Sequence, residues 1–204
     1  MASTFVNDLR LNEMATGDQS GSWGTVTNTN LELIGEAFGF GTEAITTNAN
    51  THTTTIADGQ ADPGRSMFLK YTGALDSACT ITIGPNTVSK MWFIENATTG
   101  SQNIIISQGS GANVTIASGK TKAVYSNGAG SGAAFVDAFN SLSVGTLTGT
   151  TGTFSGAVSL GGIAYPTSDG SSGQALVTNG SGTVSFGSAG ISTGKAIAMA
   201  IVFG

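Results

Sequence analysis

"SMFLKYTGALDSACTITIGPNTVSKMWFIENATTGSQNIIISQ", Ser66 to Gln108, holds the pattern on which the fold turns. In its first run Met67, Leu69 and Tyr71 alternate with Phe68 and Lys70; in the next, Ile81 and Ile83 flank Thr82. A period of two puts alternate side chains on opposite faces, the mark of a β-strand with one face buried. Between the runs stand "GPN" and "ATTGSQ", rich in residues that fix a turn or accept a positive φ.

The same texture continues on both sides. "THTTTIA" precedes the stretch, and "VTIA", "KTKAVYS" and "AAFVDAF" follow it, separated by "DGQADPG", "GSGAN", "SGK" and "NGAGSG". Short strands at close, regular spacing point to an all-β sandwich or barrel. One compact antiparallel domain is expected over residues 46–140.

The flanks differ. In residues 1–45, "TNTNLELIGEAF" offers Thr29 as an N-cap with Glu32 three residues on, a capping-box pattern. Leu31, Ile34 and Phe38 recur at helical spacing, which predicts one short helix with these three on one face. Trp23, in the turn-rich "GDQSGSWG", is an isolated large anchor. So short a helix is marginal alone and needs tertiary or subunit packing.

Residues 141–204 carry only Asp169 and Lys195 as charges, with glycine every few positions. Large apolar residues stand singly, as in "TLTGTTGTFSGAVSLGG", Thr146 to Gly162. So little apolar area cannot offset an ordering cost of about 1–2 kcal/mol per residue. Three copies around one axis solve the problem, with Leu147, Phe154, Val158 and Leu160 filling a narrow core. The run Lys195–Phe203 is expected to lie buried, as a strand or short helix, against a neighbouring chain. The whole chain is thus expected to be mainly β: an anchoring segment with one helix, a central antiparallel sandwich or barrel, and a glycine-rich intertwined trimeric stem or tip.

Composition narrows function. The 204 residues include 31 glycines, 39% hydrophobic residues and only 9% charged ones, which suits turn-rich β-structure better than disorder. A net charge of −5 without a basic cluster argues against nucleic acid. "MASTFVNDLR" lacks the pattern of a secretory signal, and "AIAMAIVF" is too short to span a bilayer, so no membrane insertion is expected. The single cysteine, Cys79, excludes an internal disulfide and is read as a small buried residue.

Fragments that resemble active-site motifs fail on inspection. "GDQSG" at Gly17–Gly21 breaks the serine-protease pattern at Gln19, and the one histidine, His52, lies in a threonine-rich edge strand where a surface position is expected. "SGKT" at Ser118–Thr121 has Val114 where a phosphate-binding loop needs glycine, and reads as a hairpin turn. Asp58, Asp62, Asp76 and Glu95 are scattered rather than paired for glycoside hydrolysis. No enzyme activity, cofactor or metal is expected.

Two stretches carry a resemblance. "ATGDQSGSWGTVTNTNLELIGEAF" with "RSMFLKYTGALDSACTITIGPNTVSKMWFIENATTG" resembles a module at the N-terminus of tail-fibre-like structural proteins of marine bacteriophages. "GGIAYPTSDGSSGQALVTNGSGTVSF", Gly161 to Phe186, is similar to a signature near the distal parts of phage fibres, also present in prophage-derived bacterial genes. The resemblance implies a virion component, made in the host cytoplasm and mounted on the exterior of tail or capsid. It implies a trimer whose N-terminal zone, with Trp23, Leu31, Ile34 and Phe38 as anchor, docks to other virion proteins. No catalytic residues are implied.

Long fibres of this type carry extended shafts and a large distal head, whereas this sequence stops at "GKAIAMAIVFG". The expected function is therefore a short homotrimeric tail fibre or spike for attachment to the host surface, with a host glycan or protein as target. A capsid decoration or fibre-connector protein without receptor binding is the alternative, and a polysaccharide-degrading spike a third.

Overall fold

The computed structural model describes residues 3–146, 148–154, 156–190 and 193–203. The chain divides into two compact units, Met1–Ser143 and Val144–Gly204. It is mainly β, with one helix near each end.

The first unit opens with an irregular segment and helix α1 (Trp23–Ala37), followed by nine strands: β1 (Phe40–Ala44), β2 (Thr51–Thr55), β3 (Phe68–Thr72), β4 (Cys79–Gly84), β5 (Met91–Asn96), β6 (Ile104–Ser107), β7 (Val114–Ile116), β8 (Thr121–Ser126) and β9 (Phe135–Asp137). Every strand expected between Thr51 and Asp137 is present; β1 is an addition. They form two sheets, β1-β3-β5-β8-β9 and β2-β4-β6-β7.

The antiparallel expectation is corrected by the pairing. β1, β3 and β5 run parallel, as do β2, β4 and β6; only β7, β8 and β9 add antiparallel. Successive strands from β1 to β6 alternate between the sheets, so the chain coils around a shared core instead of folding back in hairpins, and no closed barrel forms. The physical reason is at the corners. Gly73 and Gly100 adopt φ of +122° and +94°, and a Cβ would lie 2.4 Å from the Ile45 carbonyl oxygen and 1.9 Å from that of Leu75. Each corner therefore stacks on the one before. Thr99 N–H donates to Gly73 O at 2.8 Å, and Ile45 N–H to Thr72 O at 2.8 Å. "SGKT" likewise carries the chain from β7 in one sheet to β8 in the other, and is not a hairpin.

The alternation predicts the interior well. Leu69 and Tyr71 of β3, Trp92 and Ile94 of β5, and Val124 face Cys79, Ile81, Ile83, Ile104, Ile106 and Ile116 in one core. Burying each large side chain contributes about 1.5–3 kcal/mol. Asn96 is fully buried yet satisfied: its Nδ2 donates to Gln102 O and Ile116 O, both at 3.0 Å, and its Oδ1 accepts from the Thr98 hydroxyl at 2.6 Å.

The second unit holds two hairpins, β10 (Ser159–Leu160) with β11 (Ile163–Ala164) and β12 (Gln174–Thr178) with β13 (Val184–Ser188), then helix α2 (Thr193–Phe203). Gly161 and Gly162, with φ of +59° and +83°, make the tight turn of the first hairpin, which needs positive φ at both centres.

Candidate assembly surfaces

Helix α1 begins six residues before the expected Thr29 cap, with Ser22 as N-cap and no side-chain cap bond. Its buried residues are Leu33 and Ala37, one turn apart. The expected anchor residues lie elsewhere on the helix. Leu31 and Phe38 lie on the far side at 60% and 71% exposure, Trp23 is 66% exposed, and Ile34 is half-buried between the two faces. The packed side is fixed by polar bonds that the apolar spacing did not reveal. Asn12 N–H donates to Asn30 Oδ1 at 3.0 Å, Asn30 Nδ2 returns a bond to Asn12 O at 2.9 Å, and Asp62 N–H donates to Glu36 Oε1 at 2.9 Å.

Behind this face sits Arg65, fully buried in the turn Pro63–Arg65. It donates to Leu9 O at 2.8 Å, Ala57 O at 2.6 Å, Gln60 O at 2.8 Å and Asp62 Oδ2 at 2.9 Å, with Glu36 Oε2 at 3.7 Å. One guanidinium thus ties the N-terminal segment, α1 and the β2–β3 connection together, using the forked donor geometry that lysine lacks. Lys90 lies beside it, donating to the Arg65 carbonyl, with Nζ 4.4 Å from the centre of the Trp92 ring. Burial pulls the Lys90 ammonium down to about 8, and burial pushes the Glu36 carboxyl up.

His52 is not on the sheet surface as expected: its ring turns inward, half-buried, with Nε2 2.6 Å from Glu43 Oε1 and its edge toward Tyr71. The Tyr71 hydroxyl is 2.7 Å from that of Thr54, and burial drives its ionisation out of reach. Edge strand β2 is as expected, but the alternation that exposes Thr51 and Thr53 necessarily turns His52 and Thr54 to the core side.

Of the scattered acids, Asp58 pairs with Arg10 at 2.7 Å, Asp62 with Arg65 and Glu95 with Lys70 at 3.6 Å, while Asp76 accepts from Ser77 at 3.2 Å. A hollow of about 370 Å³ beside β7, β8 and β9 is lined by Asn113, Thr115, Lys122, Phe135, Asp137 and Asn140. Its one carboxylate is bonded to Lys122 at 2.8 Å, and that hydrogen bond holds Asp137 below the usual carboxylate range. Among the described residues no group of three or more His, Cys, Asp or Glu side chains is placed to hold a metal, and no helix is long and apolar enough to cross a membrane.

The second unit differs in kind. From Val144 onward, no residue whose exposure the structure describes is buried. Of the expected stem residues, Leu147 lies outside the described residues; Phe154 and Leu160 are 69% and 60% exposed, and Val158 is half-buried. In β12–β13, Leu176 stands opposite Phe186, yet Leu176 is 51% exposed. The run Lys195–Phe203 falls within α2, a helix rather than a strand, and Ile197, Ile201, Val202 and Phe203 are exposed at 55% to 83%.

No family model, curated protein or solved structure matches the chain.

Proposed function

We propose that this is a non-enzymatic structural protein that assembles as a homotrimer, of the short fibre or spike type, and serves in attachment to a host surface. The supporting observation is the second unit. It has ordered hairpins and an apolar helix but no buried residue among those described, so its Leu, Ile, Val and Phe side chains have cover only if other chains supply it. Exposed apolar area of this extent marks an interaction surface. The near absence of charge in this unit lets identical chains meet without like-charge repulsion. The resemblance to phage fibres supplies the setting, a virion exterior.

Light scattering of the full chain at micromolar concentration tests the assembly. Three chain masses are expected, and Phe154→Asp, which sets a charge against its own copies, is expected to return the protein toward one. A wild-type monomer at that concentration would overturn the reading. Decoration or connection within the particle is the second reading, favoured by the exposed Trp23, Leu31 and Phe38 face of α1. Many copies over a capsid lattice in a map of the particle support it; a few trimers on the tail support the fibre.

A further inference from the structure

The two outer faces of the β-sandwich are chemically unlike. On the β2-β4-β6-β7 sheet the outward rows are mostly threonine: Thr51 beside Thr80, Thr53 beside Thr82, and Thr115 on β7, with Ile105 between Thr80 and Thr115. This is what a water-facing sheet of this chain looks like. On the β1-β3-β5-β8-β9 sheet, Leu69, Tyr71, Trp92 and Ile94 point inward, so their neighbours point out. Those neighbours include aromatic and aliphatic residues, beside Lys70, Thr72 and Glu95. Phe40, Phe68 and Phe93 stand in register across three strands, with the Phe40 and Phe68 rings stacked at 5.3 Å. Met91, Tyr125 and Val136 form a second row across the next strands. Phe40, Met91, Tyr125 and Val136 are 60%, 40%, 43% and 36% exposed.

The geometry points to this sheet face as a second contact between copies of the chain, within the first unit. This rests on the self-assembly proposed above. Two observations select a copy over a foreign partner. The charged residues of these strand rows are Lys70 and Glu95, paired at 3.6 Å, so the face is neutral although the chain carries −5. It therefore offers no net charge to select a basic or an acidic partner. It does suit itself: around the three-fold axis Lys70 of one copy can meet Glu95 of the next, as the head-to-tail contacts of a closed ring require. The second is size. With aromatic side chains contributing roughly 150–250 Å² each when fully covered, the half-exposed rows offer on the order of 300–500 Å². That is well under the roughly 800 Å² per partner of a standard stable interface. Such a patch is too small to capture a free partner alone, but sufficient between chains already held together elsewhere, where effective concentration is high.

The test uses the full-length chain with Tyr125→Cys or Val136→Cys, and Thr82→Cys on the opposite outer face as reference. Cys79 is fully buried and adds little background. Mass is measured first, then the rate of maleimide labelling in the assembled state. Both face variants are expected to label about tenfold more slowly than the reference, because a closed contact excludes water and reagent. An assembled protein that labels at all three positions equally overturns this contact and leaves the assembly standing. A monomeric wild-type protein overturns both.

Discussion

Lys90 keeps an ammonium group where water is scarce, between the Arg65 carbonyl and the Trp92 ring. Its folded value of about 8 lies below the ordinary 10.5, so between these values the unfolded chain binds more protons. Stability therefore rises with pH across that window, and the desolvation cost is carried in full below about pH 8. Relative to Lys90→Met, the wild type is expected to gain on the order of 1–2 kcal/mol between about pH 7 and about pH 10. Urea midpoints of both proteins check this; a gap that stays constant or narrows the other way refutes it. Arg65 alongside is different in kind, since its fork meets three carbonyls as well as Asp62. Nothing around "DPGR" in the sequence announced that role, because its partners Leu9 and Ala57 are backbone oxygens.

At the scale of elements, α1 shows what periodicity can and cannot tell. Apolar residues occur on both of its sides, and a spacing rule could not choose between Leu31–Ile34–Phe38 and the side carrying Leu33 and Ala37. Asn30 and Glu36, bonded to Asn12 and Asp62, orient the helix instead. Leu33→Ala is accordingly expected to destabilise the first unit by about 2–5 kcal/mol, as for a buried leucine. Leu31→Ala is expected to leave its stability within about 0.5 kcal/mol, as for a surface site. Chemical denaturation of the two variants decides, and equal losses would show that both faces are packed. The strands were more legible than the helix, since alternation within each run fixes its inner face whatever the run pairs with. Pairing was not legible. A turn rich in glycine and threonine serves equally to reverse a chain in a hairpin or to carry it to a second sheet. The repeat that would have betrayed a coil is also blurred, because the steps from Phe40 to Phe68 and from Phe68 to Phe93 are unequal.

At the scale of the molecule, the proposed assembly gives the two units different thermodynamics. The first has a continuous core and satisfied corners; the second has hairpins with no described buried residue. A unit held by other copies is stabilised by mass action, so its unfolding temperature depends on protein concentration, while a self-contained core responds far less. Scanning calorimetry of the full chain is expected to show two transitions. The one lost on deleting residues 144–204 should fall by several degrees on tenfold dilution, and a dilution-independent transition would contradict assembly through that unit. The turn "NGSG" of this unit, Asn179 to Gly182, is legible in the sequence, because positive φ and asparagine bonding are local properties. Asn179 Oδ1 indeed accepts from Ser181 N–H at 2.8 Å and Thr183 N–H at 3.1 Å.

The sequence by itself determined the strands β2 to β9, most of their buried faces, where the chain turns and the scarcity of large apolar residues beyond Ser143, because each depends on side-chain alternation, local backbone preference or composition. Only the tertiary structure decided that successive strands alternate between two sheets, that Arg65 gathers the N-terminal segment, and that His52 turns toward Glu43. Those features rest on contacts between residues far apart in the chain, and above all on carbonyl oxygens, which every residue possesses and no sequence pattern distinguishes.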